Sequence, residues 1–326
     1  MLLAGDIGAT KTLVGLFTPS PTRPQPVEIR GFTTLEYDSL EAIIEEFLSS
    51  RPEARASVTA ASFGVAGPIV DQVARLTNVP WYVDAAAIAL RFSFPRVTLL
   101  NDLQAMAYCV PVLESGELVV LQEGRRVATG NAALIAAGTG LGEALLHNVE
   151  GRFIPSPTEG GHADFAARTP EEIGLLQELQ RLYGRVDYER VLSGPGLVNV
   201  HRYLHPRGCP ACDPSVDPAQ APSIISRSAL EQRCSRCVQA LRLFVTVYGA
   251  EAGNLALRSV ASAGLFVGGG IAPKILPALQ NGDFMRAFLD KAPMAEFVAL
   301  VPVAVILNDR AGLLGAAVHA NQQTAG

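Results

Sequence analysis

Three apolar runs in this chain end on glycine clusters, and that recurrence narrows the folds open to it more than any other feature. Residues 1–5 lead into Asp6-Ile7-Gly8-Ala9-Thr10-Lys11, and a second apolar stretch, Thr12 to Phe17, follows at once. Ala132 to Ala137 leads into Gly138-Thr139-Gly140-Leu141-Gly142, and Leu265-Phe266-Val267 into Gly268-Gly269-Gly270-Ile271. Short apolar runs bounded by turn residues read as buried strands. A glycine turn at the end of a strand lets backbone N–H groups approach a phosphate with no Cβ in the way. An ordinary hairpin explains any one such turn. Three of them, together with Asp6 and Asp102, point to a nucleotide-phosphate cleft. The turns at Asp6 and Gly138 also suggest a duplicated fold whose halves no longer match in sequence.

Neither of the two best-known phosphate fingerprints fits. Thr10 stands where the P-loop pattern counted from Gly5 demands glycine, and Glu143 takes the last glycine position of a dinucleotide fingerprint counted from Gly138. The turn at Gly5 to Thr12 is therefore expected to join two strands of a hairpin. Asp6 on that turn would repel phosphate unless a metal ion or its water lay between, which implies Mg²⁺.

Val97-Thr98-Leu99-Leu100 reads as a buried strand stopping at Asn101-Asp102, with a helix expected over Leu103 to Val112. A carboxylate at that strand end can take a proton from a substrate hydroxyl, and the neighbouring Asn can orient it. Helix capping alone would also explain an Asn-Asp pair there.

Elsewhere, Pro19 to Pro26 reads as a loop, Leu40 to Leu48 as an amphipathic helix, Val58 to Ala66 as a strand and Asp84 to Phe92 as a short helix. Pro170 to Tyr183 reads as a helix with Glu171 and Glu172 at its positive end. His205 to Ser223 carries five prolines and is expected to be a non-helical, exposed excursion. Ser228 to Leu257 predicts a long helix with Gly249 and Gly253 as candidate interruptions. A helix is expected from about Pro273, a buried strand over Val298 to Leu307 and a closing helix over Ala311 to Ala320. Strands first, then alternating strands and helices, argue an α/β fold with a mixed sheet flanked by helices.

At 326 residues, 49% hydrophobic and 17% charged, the chain can build two globular domains with real cores. A net charge of −5 without a basic cluster argues against nucleic-acid partners. The lack of a long apolar run argues against a membrane span, and the N-terminus has no basic segment of a secretory signal. Five cysteines, an odd number, suit a reducing cytoplasm.

Two runs carry the remaining chemistry. Pro157-Thr158-Glu159-Gly160-Gly161-His162-Ala163-Asp164-Phe165 sets Glu159, His162 and Asp164 around two glycines, and Tyr188-Glu189-Arg190-Val191-Leu192-Ser193-Gly194-Pro195-Gly196 adds Glu189. A transition-metal site would want several imidazoles or thiolates. One His among carboxyl and amide groups suits a hydroxyl-rich ligand, because each hydroxyl both donates and accepts.

These two runs, with Gly5 to Thr10, Gly67-Pro68, Leu76 to Trp81, Leu100 to Asp102, Gly138 to Gly142, Gly268 to Pro273 and Gly312 to Gly315, resemble the bacterial glucokinases of the actin, sugar kinase and Hsp70 ATPase superfamily, in order over nearly the whole chain. The resemblance implies a two-domain actin-like ATPase (ribonuclease H-like) fold with an interdomain cleft. Its domains would be residues 1–104 plus 310–326 and residues 105–309. It implies ATP-dependent phosphorylation of the glucose 6-hydroxyl, the first step of glycolysis, with Mg²⁺, in a cytoplasmic homodimer. Asp102 would be the general base. Asn101, Asp102, Glu159, His162 and Glu189 would bind glucose. Asp6, Gly8, Thr10, Gly138, Thr139 and Gly140 would hold the phosphates and Mg²⁺, with Gly269 and Gly270 near the adenosine. Ala9 departs from the second glycine common in the family, and its methyl would push a phosphate contact outward.

Cys209-x-x-Cys212 and Cys234-x-x-Cys237 are two C-x-x-C pairs, which four thiolates could turn into a structural Zn²⁺ site. Packing of Cys234 and Cys237 on a helix is the competing explanation, and Cys109 is expected to be a buried helix residue. Rival functions are a kinase for another hexose or phosphoryl donor, a non-catalytic sugar-binding regulator, and an actin-like filament protein. The regulator would carry a DNA-binding module ahead of the first glycine turn, where Gly5 leaves none expected. The filament would not need Glu159, His162 and Glu189.

Overall fold

The computed structural model describes residues 1–49, 51–76, 79–211, 217 and 219–324. Thr77 and Asn78 of the Leu76 to Trp81 motif, and Cys212, Pro214 and Pro218 of the Pro-rich stretch, lie outside the described residues. The chain divides into two compact units, one of residues 1–114, 153–157 and 308–326, the other of residues 115–152 and 158–307.

The first unit opens with a hairpin of β1 (Leu2–Ile7) and β2 (Lys11–Thr18), continued by β3 (Gln25–Thr33). Helices α1 (Leu40–Ser49) and α2 (Pro52–Ser57) lead to β4 (Ala60–Val65). A small sheet of β5 (Ile69–Val70), β6 (Val73–Arg75) and β7 (Tyr82–Asp84) precedes α3 (Ala85–Phe92). Strand β8 (Val97–Asn101) then passes without a loop into α4 (Asp102–Cys109). The main sheet runs β3-β2-β1-β4-β8, with β1, β4 and β8 parallel. Every residue of β4 is buried, as expected for a central parallel strand covered on both faces.

The second unit starts with β9 (Leu118–Gln122), then β10 (Ala132–Ala137) and β11 (Leu141–Val149); β12 (Arg152–Thr158), whose residues 153–157 count with the first unit, comes next in the chain. Helices α5 (Pro170–Tyr183), α6 (Gly194–Leu204), α7 (Ala221–Leu230) and the long α8 (Ser235–Ser259) follow. Strand β13 (Gly264–Gly268), helices α9 (Leu276–Leu279), α10 (Asp283–Leu289) and α11 (Ala295–Leu300), and strand β14 (Val303–Ile306) complete it. Its sheet runs β12-β11-β10-β13-β14-β9, with β10, β13 and β14 parallel. Finally α12 (Ala311–Thr324) returns to the first unit, where Leu313, Ala316, Ala317 and Ala320 pack on Leu2, Ala4 and Ala60.

Each unit thus contains a hairpin whose first strand ends on a glycine turn, β1-β2 and β10-β11. The fold is α/β with mixed sheets.

Several expectations need correction. The long helix is not interrupted at Gly249 or Gly253, both of which lie inside α8. A Cβ on Gly249 would sit 2.1 Å from the Phe284 carbonyl oxygen, and one on Gly253 2.6 Å from that of Phe288, so these glycines admit α10 rather than break α8. The break falls earlier, where Gln232 takes φ +55° and Cys234 is extended, separating α7 from α8. The Pro-rich excursion ends sooner than expected: α7 begins at Ala221, with Pro222 in its first turn, where no N–H is required. The strand expected over Val298 to Leu307 is helical up to Leu300. Pro302 forces Val301 out of the helix (ψ 122°), and the strand proper is Val303–Ile306.

Candidate active site

In the first unit, Asp6 and Asp102 stand at the C-terminal ends of parallel strands β1 and β8, with β4 between them. Gly64 of β4 is the spacer: a Cβ there would meet the Ala105 methyl at 2.8 Å and approach the Asp102 Cα to 3.8 Å. Its absence lets the first turn of α4 lie down on the sheet. Asn101 caps that helix, its Oδ1 accepting from Leu103 N (3.0 Å) and Gln104 N (3.4 Å). Asp102 Oδ1 also accepts from Leu103 N, at 2.8 Å. The cap uses only the amide oxygen of Asn101 and only one oxygen of Asp102 in these bonds.

Burial, reinforced by the nearby negative charge of Asp102, pushes the Asp6 carboxyl up to about 6. On the other side, Asp6 lies against the first turn of α12, where a Cβ on Gly312 would meet its Oδ2 at 2.7 Å. Asp6 and Gly8 line a cavity of about 340 Å³ with Lys11, Asp309 and Arg310. Oxygen donors beside two carboxylates suit a hard divalent cation, and Lys11 and Arg310 suit an anionic ligand. Lys11 and Arg310 were not singled out from the sequence; the signal for Lys11 was its place directly after the glycine turn.

Gly8 closes that turn by donating to the Lys11 carbonyl at 3.1 Å, and a Cβ on Gly8 would come within 2.9 Å of the same oxygen. Thr10 is exposed beside it, its carbonyl accepting from Thr34 N. Ala9 packs its methyl against the apolar core of the first unit, so the outward push expected from it has another outlet.

In the second unit the glycine turns gather at the C-terminal ends of β10 and β13. Gly138 N donates to Gly140 O at 2.8 Å, and Gly138 O accepts from Gly194 N, the first residue of α6, at 2.9 Å. Gly269 has φ +82°, and a Cβ on it would lie 2.4 Å from the Ala137 carbonyl oxygen. Gly270 has open space where a Cβ would go, and Thr139 is exposed.

Glu189 binds this same junction. Its Oε2 accepts from Leu141 N at 3.0 Å, and it lies 2.5 Å from where a Cβ of Gly140 would be. The Glu159 to His162 turn is seated on the start of β11, because Gly161 passes 2.0 Å, as a virtual Cβ, from the Leu141 carbonyl oxygen. His162 Nδ1 pairs with Asp187 Oδ2 at 3.0 Å. That hydrogen bond, helped by the charges of Glu189 and Glu159, raises the imidazole above its usual range despite some burial. Glu159, His162 and Glu189 therefore share one neighbourhood. Asp187, two residues before Glu189, was overlooked in the sequence; it also caps its own turn through Arg190 N (3.0 Å). Asp164 faces Arg185 at 2.8 Å instead.

Beneath the turn lies a second residue missed by the sequence reading. Glu143 is 2% exposed and Glu251 fully buried, and both face the single guanidinium of Arg258. Burial and the charge of Glu251 push Glu143 up to about 8, and Glu143 Oε1 has no hydrogen-bond partner among the described residues. Gly160 abuts it, a Cβ there being 2.2 Å from Glu143 Oε2. A larger cavity of about 650 Å³, between α5 and α6, is lined by none of these residues.

Of the expected zinc ligands, Cys209 and Cys237 are buried and Cys234 partly so, while Cys212 lies outside the described residues. Cys109 is buried on α4 as expected. Among the described residues, no helix is long and apolar enough to cross a membrane.

The glucokinase family model matches residues 3–323. The chain is 37% identical to a glucokinase of Synechocystis sp. and 37% identical to one of Nostoc sp., each over 98% of both chains. Its structure is similar to the crystal structure of a glucokinase from an Antarctic psychrotroph, with a TM-score of 0.87 and 30% identity over 98% of both chains. The chain belongs to the glucokinase family, whose members phosphorylate glucose with ATP and a divalent metal.

Proposed function

We propose that the chain transfers the γ-phosphoryl group of ATP to the 6-hydroxyl of glucose, with Mg²⁺ as the divalent ion and Asp102 as the general base. The observation that carries this reading is the junction at Gly140-Leu141. There Glu189, one of the hydroxyl-binding candidates, bonds to the same glycine turn that offers its backbone to phosphates. Glu159, His162 and Glu189, with Asn101, would take the remaining sugar hydroxyls. Each is a group that can accept from, or donate to, a neutral polyol without requiring it to carry charge.

Asp6, Gly8, Thr10, Gly138, Thr139 and Gly140 would hold the triphosphate, and Gly269 and Gly270 the adenosine side. Mg²⁺ near Asp6 would neutralise the developing phosphate charge. Asp102 removes the proton of the 6-hydroxyl as that oxygen bonds to the γ-phosphorus and ADP leaves. Phosphoryl transfer asks for positioning and charge stabilisation more than covalent participation, so the packed, glycine-spaced strand ends are the main catalytic asset. The same proposal includes the actin-like pair of domains, residues 1–104 plus 310–326 and 105–309. It also includes a cytoplasmic, homodimeric protein, as the family resemblance implies.

A coupled assay of ADP release over a panel of sugars and phosphoryl donors tests it. ADP release that depends on glucose, ATP and Mg²⁺ is the expected result. Turnover only with another hexose or with polyphosphate, or glucose binding without turnover, would replace this reading with one of its rivals.

A further inference from the structure

We propose that His201, Cys209, Cys234 and Cys237 bind one structural Zn²⁺, a ligand set that differs from the two C-x-x-C pairs by including a histidine from α6. His201 Nε2, Cys209 Sγ and Cys237 Sγ all lie within 4.8 Å of one another, and all three residues are buried. Two of their three separations match the edges of a tetrahedron. With Zn–S near 2.3 Å and Zn–N near 2.0 Å, tetrahedral edges are about 3.8 Å between two sulfurs and about 3.5 Å between nitrogen and sulfur. The structure has 3.7 Å from Cys209 Sγ to Cys237 Sγ and 3.3 Å from His201 Nε2 to Cys209 Sγ. A disulfide is ruled out at that separation, since the S–S bond is about 2.05 Å long.

Cys234 lies outside that compact trio and would have to close on it to supply the fourth ligand. It is the residue just before α8, its sulfur stands beside those of Cys209 and Cys237, and it is partly buried against the same core. Cys234-x-x-Cys237 is a spacing that chelates one ion from the start of a helix. Sulfur and imidazole donors without a carboxylate select zinc over Mg²⁺ or Ca²⁺. Binding would release the three thiol protons to solvent and leave the imidazole neutral. Without an ion, a histidine and two thiols would sit in an apolar core with weak partners in one another.

Such an ion would hold the second half of α6 to the start of α8. Arg236 makes a parallel link from α8, donating to the Gly208 carbonyl at 2.6 Å, and His205 Nε2 contacts the Arg236 carbonyl at 3.1 Å. The first residue of α6, Gly194, bonds to Gly138, so the ion anchors the far end of a helix that starts at a candidate phosphate turn. The role is structural and does not depend on which sugar the enzyme phosphorylates.

Elemental analysis of the full chain, purified under reducing conditions without added metal, should find one Zn²⁺ per chain. Demetallated protein titrated with Co²⁺ should develop thiolate charge-transfer bands and the ligand-field bands of a tetrahedral ion. Loss of a group that merely orients a ligand costs 10–100-fold in affinity, so removing a ligand itself should cost more than about 100-fold. His201→Asn, Cys209→Ser, Cys234→Ser and Cys237→Ser should each do so, while Cys109→Ser leaves metal content unchanged. Wild-type protein that binds neither ion overturns the site without recourse to any variant. Undiminished affinity in His201→Asn or Cys234→Ser overturns the ligand set.

Discussion

Asp102 and its neighbour Asn101 both bond to the start of α4, and the capping and proton-accepting readings that one sequence pattern could not separate are compatible in this geometry. Asn101 closes the start of α4 with its amide oxygen, and Asp102 is the first residue of that helix. Both residues take part in the cap, since Asp102 Oδ1 also accepts from Leu103 N, and the general-base role is proposed for Asp102 alone. A general base contributes about 10²–10⁴-fold. Asp102→Ala should therefore lower kcat by that factor while calorimetry finds glucose affinity nearly unchanged. Near wild-type turnover would remove Asp102 from the chemistry. His162 offers a second test at this scale. Its hydrogen bond to Asp187 is the main cause of its raised pKa, so Asp187→Asn should bring the imidazole down toward its ordinary value. NMR titration of the His162 ring reads this directly, and an unchanged midpoint would show that Glu159 and Glu189 hold the proton instead. Asp187 could have been found in the sequence only by asking what orients His162, because a lone Asp before a turn is ordinarily a cap.

At the scale of elements, small residues decide where the candidate site residues stand. Gly64 lets α4 approach the sheet, and Gly315 lets α12 approach α4: a Cβ on Gly315 would lie 1.7 Å from the Ala105 carbonyl oxygen. Gly315→Ala must then displace α4 or α12. The expected cost is about 1–3 kcal/mol, seen as a lower melting temperature together with a lower kcat. Gly116→Ala, whose added methyl meets nothing within 4 Å among the described residues, is the control and should change neither. Long periodic elements were legible in the sequence: Pro170–Tyr183 and the start of α12 at Ala311 coincide with expectation. The hairpin geometry of the first glycine turn was legible too. Strands β3 and β11 were not, because Glu28 and Arg30 in one and Glu143, His147 and Asn148 in the other interrupt the apolar pattern. The glycines of α8 misled for a related reason. Sequence alone cannot tell a glycine that breaks a helix from one that receives a neighbouring backbone. The buried Glu143, Glu251 and Arg258 group was invisible, since its members lie far apart in the chain and meet only through the fold.

For the molecule as a whole, buried titrating groups set opposing responses to pH. His319 on α12 is 6% exposed, its Nδ1 is 2.8 Å from Ser62 Oγ, and burial lowers its pKa from 6.5 to about 4. Between those values the unfolded chain takes up a proton that the folded chain refuses, so stability falls as pH drops from 6.5 to about 4. Glu143 acts in the other direction. The folded chain keeps its proton up to about pH 8 while the unfolded chain releases it from 4.5 upward, so stability falls as pH rises across that window. Melting temperatures measured across pH should therefore lose part of their acid-side slope in His319→Gln and part of their alkaline-side slope in Glu143→Gln. Parallel profiles for wild type and either variant would assign the slope to other groups.

The return of α12 to the sheet of the first unit also bears on how the chain reaches its native state during synthesis. Leu2, Ala4 and Ala60 precede the whole second unit in the chain, yet the helix that covers them is translated only after that unit is complete. At about 5–20 residues per second, the uncovered sheet face waits on the order of ten seconds or more for its cover. In that interval the nascent polypeptide offers an apolar surface that a chaperone can shield and a neighbouring copy can stick to.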